Sequence, residues 1–214
     1  MRSRNEPIRA AAGVLALALL AGCGAPGADA RPKPVSTPQN WRTMATAADR
    51  DRLRDWRAAF MAALARAQPA HAREIAAAGN VLQPDAALGD ATPVPGDYRC
   101  RITKLGAKQP GGPDYVAYPG FHCRIAREGD IWSLAKLDGS QRPTGLLFPA
   151  ANDRFVFLGT VMLGDERGAL DYGRDPQRDM AGVFQRIGAN RWRLVLPRPA
   201  WESMLDVIDF VPDF

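Results

Sequence analysis

Side chains that usually carry chemistry are scarce in this chain. Of its 214 residues only 2 are His and 3 are Cys, so metal ligands and nucleophiles would have to come largely from carboxylates and hydroxyls. The few serines lie outside any G-x-S-x-G elbow, and no C-x-x-C, G-x-G-x-x-G or Walker pattern occurs. These absences predict no catalytic residue, no metal and no cofactor. No apolar run reaches about 18 residues, which leaves out an ordinary membrane-spanning helix. Lysine is rare as well: among the 28 basic residues only Lys33, Lys104, Lys108 and Lys136 are lysines. The rest are arginine, which GC-rich coding produces together with alanine. No basic block is interleaved with aromatics, so nucleic acid is not an expected partner.

What is present begins with an address. Residues 1–9 are basic, and 10–20 are apolar apart from Gly13, the n-region and h-region of a secretory signal. The stretch ends in Leu20, Ala21, Gly22 and Cys23. It resembles the bacterial lipobox, in which a diacylglycerol is attached to the Cys sulfur and a peptidase cuts just before it. Residues 1–22 are therefore expected to be a lipoprotein signal peptide and Cys23 the lipidation site, whose two or three acyl chains hold a protein firmly on a membrane. Gly24 follows, and by analogy with enteric bacteria the absence of Asp there points to the periplasmic, inner leaflet of the outer membrane. Loss of 1–22, with Arg2, Arg4, Arg9 and Glu6, would lower the formal net charge of +5 by two. Residues 23–40 hold the Cys and a Pro-, Gly- and Ala-rich stretch that cannot bury a core. It reads as a flexible tether reaching roughly 50 Å at about 3.1 Å per residue. One globular domain is expected over 41–214, helical in 41–80 and a β-barrel in 96–214, long enough for one hydrophobic core.

Thr46 is an N-cap signal with Asp49 at the capping-box position. Leu53, Trp56, Phe60 and Leu64 then recur at helical spacing opposite Asp51, Arg54, Asp55 and Arg57. This predicts an amphipathic helix of about 20 residues ending before Pro69. Pro69 can open a second, shorter helix that Gly79 closes, giving a helical hairpin as a cap. Residues 81–95 form a loop with Pro84, Pro93 and Pro95. From Gly96 the period becomes two, and strands are expected at 97–105, 121–127, 131–137, 144–148, 154–163, 181–187 and 191–196. The strand at 154–163 is apolar on both faces, which suits it to carry the helices on its outer side. The tail is ambiguous: Trp201, Met204, Leu205 and Ile208 fit a helix, whereas 206–211 fits a closing strand, the preferred reading. About eight short strands with close turn signals predict a mainly β (α+β) fold. The expected form is a small antiparallel meander closed into a lipocalin-like barrel, because closure removes the sheet edges.

Alternation sorts two of these strands into faces. Tyr98, Cys100 and Ile102 share one side, as do Phe121, Cys123 and Ile125. With Cys23 taken by lipid, Cys100 and Cys123 remain as an even pair in an oxidising compartment and are expected to form a disulfide. The opposite side gathers Arg99, Arg101, His122 and Arg124. Four basic or titratable groups on adjacent strands repel one another unless compensated. The compensation is carboxylates of the same chain and water, or an anionic partner such as lipid phosphates or an acidic protein face. Arginine's planar fork suits such partners, which makes this face the expected contact surface. Asp165, Glu166, Asp171, Asp175 and Asp179 crowd one segment. Arg167, Arg174 and Arg178 are interleaved there and the spacing is not that of an EF-hand, so the segment reads as a solvated hairpin loop. His71, on an Ala-rich helix, reads as a solvated or capping residue.

The segments GDYRCRITKLG (96–106), YPGFHCRI (118–125), QRPTGLLFP (141–149), FVFLGT (155–160), RDMAGVFQRIG (178–188) and RWRLVLPRPAWESMLDVIDFVP (191–212) resemble a domain family of unknown function found in exported proteins and lipoproteins of alphaproteobacteria. The likeness runs from Trp41 to Pro212 and implies no activity, cofactor or catalytic residue. A further likeness, to lipocalin-like periplasmic inhibitor barrels, concerns architecture alone. Three functional readings follow. The first is an outer-membrane-anchored periplasmic lipoprotein whose non-catalytic barrel binds an envelope ligand or protein. The second is a periplasmic enzyme inhibitor with an exposed rigid segment. The third is a cell-envelope hydrolase, which the motifs disfavour. An internal pocket of a few hundred Å³ would favour a ligand binder, and a filled core would favour docking. Oligomeric state is not legible. Cys23→Ser is expected to abolish incorporation of labelled fatty acid and to leave uncleaved precursor on a gel. Normal labelling and processing of that variant would overturn the anchor.

Overall fold

The computed structural model describes residues 40–213. The signal peptide, lipidation site and tether expected at 1–22, Cys23 and 24–40 lie outside the described residues, save for Asn40. Three helices come first: α1 (Trp41–Met44), α2 (Ala47–Arg54) and α3 (Trp56–Ala78), followed by a 3-10 turn, Gly79–Leu82. Thr46 caps α2 as expected, its hydroxyl oxygen accepting from the Asp49 amide at 3.1 Å. Asp49 is itself buried and takes hydrogen bonds from Thr46 (3.0 Å) and from the Tyr172 hydroxyl (2.5 Å), with Arg52 at 2.9 Å. This network ties the 164–178 loop to the first full helix.

The helix boundaries differ from the sequence reading. The break falls at Asp55, and α3 runs on through Pro69 with a kink at His71 (φ −129°, ψ 29°) instead of ending before the proline. A proline in a helix removes one hydrogen bond and crowds the carbonyl four residues back, so the chain bends there without stopping. The buried stripe is Trp56, Ala59, Phe60, Ala63 and Ala67, while Leu64 is only half-covered. The alanines let the helix lie close to the sheet.

The strands are β1 (Gly96–Ala107), β2 (Tyr115–Ala117), β3 (Phe121–Glu128), β4 (Ile131–Lys136), β5 (Gln141–Ala151), β6 (Arg154–Leu163), β7 (Asp179–Gly188), β8 (Arg191–Pro197) and β9 (Ser203–Pro212). The eight expected strands are all present, and the tail is the closing strand. β1 and β3 to β9 form a closed eight-stranded antiparallel barrel, sealed where β9 pairs with β1 from Tyr98↔Pro212 to Ala107↔Ser203. The short β2 was not expected. It pairs with Thr103–Leu105 of β1, beyond the Gly96–Cys100 stretch that pairs with β3.

Alternation gives the barrel two apolar faces. Inside, Tyr98, Trp132, Phe155, Phe157, Phe184, Trp192 and Phe210 fill the axis, with edge-to-face contacts such as Phe184–Phe210 at 5.8 Å between ring centroids. The cystine Cys100–Cys123 lies on this inner face with Cα atoms 6.0 Å apart. The two residues are diagonal neighbours, since Cys100 faces Phe121 and Tyr98 faces Cys123. One end of the barrel is stoppered by the 83–95 loop: Ala91 is buried there, and the Tyr98 hydroxyl donates to Val94 O at 2.5 Å. On the outer face Val156, Leu158, Val183 and Val195 pack with Leu53, Trp56 and Phe60 of the helices. This is the second apolar side read from the 154–163 strand.

One polar side chain fastens the helical layer to the barrel. Arg193 is 0% exposed. Its guanidinium donates to the carbonyl oxygens of Asn80, Val81, Gln83 and Pro84 at 2.6–3.1 Å, and to Gln185 Oε1 at 2.8 and 3.1 Å. Burial pushes it down to about 10, so it remains charged at neutral pH. Arg193→Met would leave four carbonyls and Gln185 without these donors. It is expected to lower unfolding stability by at least about 3 kcal/mol in guanidinium denaturation of the full chain. A loss under about 1 kcal/mol would show that the clip is dispensable.

Candidate binding groove

The outer wall of the barrel beside α3 holds a groove of about 770 Å³. Its position follows from β1. That strand changes partner between Cys100, where β3 stops, and Thr103, where β2 starts. Arg101 and Ile102 sit at the junction, and the Tyr118 amide closes it by donating to Ile102 O at 2.9 Å. Glu74, Ala77 and Ala78, after the α3 kink, form one side of the groove. Tyr115, Ala117 and residues 118–120 form another, and Arg101, Thr103, Arg191 and Asp209 line it from the barrel wall. The His71 ring stacks on Tyr115 with centroids 5.4 Å apart.

The electrostatics are unevenly matched. Arg191 gives a forked pair of hydrogen bonds to Asp209, at 2.7 and 2.8 Å, and this pairing holds its guanidinium above its ordinary value. Arg101 stands opposite Asp209 in the β1–β9 register. Asp209 is already forked by Arg191, and no carboxylate among the described residues forms an ion pair with Arg101. Burial and the nearby Glu74 charge push the Tyr115 hydroxyl up, so it stays protonated as a donor. Small alanine walls with an uncompensated guanidinium can receive an elongated apolar body that carries an anionic group.

The four residues read as a contact surface all point outward and are exposed, but they do not act as one patch. Arg99 pairs with Asp213 at 3.1 Å and His122 with Asp138 at 2.9 Å. Arg124 forks Asp97 at 2.7 and 3.2 Å. These three carry their own carboxylates, and Arg101 alone of the four enters the groove. Cys100 and Cys123 point into the barrel, away from this face. Three of the acidic segment's carboxylates serve its own loop: Glu166 takes Arg178 at 2.7 and 2.9 Å and the Leu163 amide at 2.8 Å, Asp175 the Gln177 amide at 2.9 Å, and Asp179 the Gly173 amide at 2.8 Å. His71 lies 3.5 Å from Glu74, and the Ser203 hydroxyl donates to Asp206.

Sequence reasoning missed Arg191, Asp209, Tyr115 and Glu74 as groove residues. Asp209 had a usable signal. It sits outward among Leu205, Val207 and Val211, and pairing the tail with β1 puts it across from Arg101. Tyr115 had none, since β2 is only three residues long.

The family described as Domain of unknown function (DUF4893) matches residues 41–210. The chain belongs to this family. No curated protein and no solved structure matches it. The DUF4893 span contains every residue that lines the groove, so the groove is a feature of the domain itself and not of the segment before it.

The Arg124–Asp97 pair gives a test of this charge assignment. Its hydrogen bonds hold the Asp97 carboxyl below its ordinary value. Arg124→Ala is expected to raise Asp97 toward its ordinary value in a carboxyl-carbon NMR titration. Because the pair is exposed, the thermal midpoint at neutral pH should stay where it is. An unmoved Asp97 would mean that Arg124 does not compensate it in solution.

Proposed function

We propose that the chain is a lipid-anchored lipoprotein of the periplasm, held through Cys23 in the inner leaflet of the outer membrane. Its DUF4893 barrel is a rigid, non-catalytic support for binding an anionic partner. The observation that carries this reading is the filled axis: aromatic rings occupy the middle of the barrel, so a large partner is left with the outer wall. On that wall the groove beside Arg101 supplies volume, small apolar sides and a guanidinium with no carboxylate of its own among the described residues. Arg99, His122 and Arg124 form a self-compensated rim next to it.

The tether fits this use. A tether of the length expected for 24–40, roughly 50 Å if extended, would let the domain reach a membrane or a neighbouring envelope protein. The inhibitor and hydrolase readings have less to rest on. His122 is engaged by Asp138, and the Ser203 hydroxyl by a buried aspartate, rather than by each other.

The deciding experiment is capture of envelope components from native membranes by the full lipidated protein, beside binding to anionic vesicles. Arg101→Glu should lower capture at least ten-fold, and raising salt from 0.1 to 0.5 M should weaken capture by the wild type. Arg99→Ala/Arg124→Ala should lose much less. A vesicle signal that falls with Arg101→Glu identifies lipid phosphates as the partner, and a captured acidic protein identifies a protein face. Equal capture by Arg101→Glu and wild type would sink the groove as the contact.

A further inference from the structure

The end of the barrel opposite the 83–95 stopper is polar inside, and three of the chain's four lysines gather there. Lys104 and Lys136 occupy inward positions on β1 and β4, and Lys108 reaches the carbonyls of Pro199 and Ala200 in the β8–β9 loop. Lys104 is fully matched. Its ammonium meets Glu202 at 2.9 Å, Asp206 at 3.1 Å and Gln141 Oε1 at 3.3 Å. Burial pulls it down, but the two carboxylates outweigh that and hold it above its ordinary value.

Lys136 is placed differently. It is 2% exposed. Its ammonium donates only to backbone carbonyls, those of Asp138 and Gln141, and lies 3.6 Å from the centre of the Phe121 ring. No carboxylate among the described residues pairs with it. A buried ammonium without a counter-ion is costly. The same side chain lines a cavity of about 90 Å³ with Ile102, Lys104, Tyr118, Phe121 and Gln141. That space holds roughly three waters at about 30 Å³ each. A second cavity of about 240 Å³ shares Lys104, Tyr118 and Glu202 with it and leads out under the β1–β2 loop. Glu202 holds its carboxylate over Lys104 from a left-handed backbone (φ 63°), a conformation that a non-glycine residue keeps only under constraint.

We propose that this open end of the barrel is a second binding site, for a small organic carboxylate that seats its anionic group on the Lys136 ammonium and its apolar part against Phe121 and Tyr118. The site adjoins the groove and shares Tyr118 with it, but its cations are Lys104 and Lys136 in place of Arg101 and Arg191. The small cavity suits a short-chain carboxylate such as butyrate. A carboxylate supplies the counter-ion that Lys136 lacks, and the aromatic pair supplies an apolar surface that inorganic phosphate could not use.

The charge balance makes the site pH-dependent. Burial pushes Lys136 down to about 8, with Arg142 of β5 and Lys104 of β1 pushing the same way and Asp138 of the β4–β5 turn opposing. Asp206 and Glu202, from the β9 side, face Lys104 and are committed to it. His122 of β3 shares Asp138. The ammonium is therefore present below about pH 8 and lost above it, and carboxylate binding should follow.

The test uses the full chain with ¹³C-labelled lysine, whose four side chains give few enough signals to assign. The probe is sodium butyrate, with sodium phosphate as the comparison. The Lys136 Cε signal is expected to titrate near pH 8 alone and at least one pH unit higher with saturating butyrate. Calorimetric affinity for butyrate should fall at least ten-fold between pH 7 and pH 10. Lys136→Met should remove binding, and Arg101→Glu should leave it intact. An unmoved Lys136 signal, butyrate binding retained by Lys136→Met, or a phosphate response as large as that to butyrate would each overturn the proposal. If Lys136→Met does not fold, the wild-type titration decides alone.

Discussion

A single buried guanidinium decides how the two layers of this protein meet. The 3-10 turn and the residues after it end in carbonyls that point at the barrel, where water cannot reach them. Left unpaired, each of these buried carbonyls would cost about 1–3 kcal/mol. Arg193 answers four of them from the strand side, and Gln185 holds its fork in plane. Phe60 from α3 covers the same group, the guanidinium carbon 5.3 Å from the ring centre. The direction of α3, and hence the existence of a groove beside its kinked end, depends on this clip.

Much of the fold was legible because period-two alternation is strong where one face is dry. Trp192, Leu194 and Leu196 announced β8, and 154–163 announced a strand covered on both sides. The Thr46 cap was readable for a similar reason: a hydroxyl before an apolar periodic run has little else to do. What was not legible needed tertiary cover. Arg193 reads as an ordinary outward residue of β8, and only the chain segment laid over it makes it buried. Pro69 reads as a helix boundary, yet packing of Ala63 and Ala67 before it and the turns after it carries the helix across. Among the site residues, the outward set Arg99, Arg101, His122 and Arg124 was found, but their carboxylate partners lie on other elements. The difference between Arg101 and the rest was therefore invisible. Lys104, Lys136 and Asp206 were missed because they put polar groups where alternation demands apolar ones.

The two ends of the barrel follow opposite solutions. At one, a proline-rich loop folds back and Ala91, Val94 and Tyr98 close the interior with apolar atoms and one hydroxyl. At the other, the wall ends in ammonium and carboxylate groups that are matched except for one. A rigid aromatic core separates these ends, braced by the cystine between β1 and β3. A group bound at the polar end therefore has no route through the barrel.

The strand that seals the barrel is also the last to be made. Each neighbour in the meander is supplied by the next stretch of chain, except at the β1–β9 seam, which joins the beginning of the sheet to its end. Until β9 is present, β1 and β8 are bare edges, and β8 offers the run Leu194, Val195 and Leu196 to any passing strand. Closure is thus the non-local, slow event of assembly, and it comes after all local pairings are complete. A chain cut short before Ser203 would be a curved sheet with two sticky margins. Quality control that senses exposed strand edges would in effect be reading whether the final ten residues of the seam have arrived.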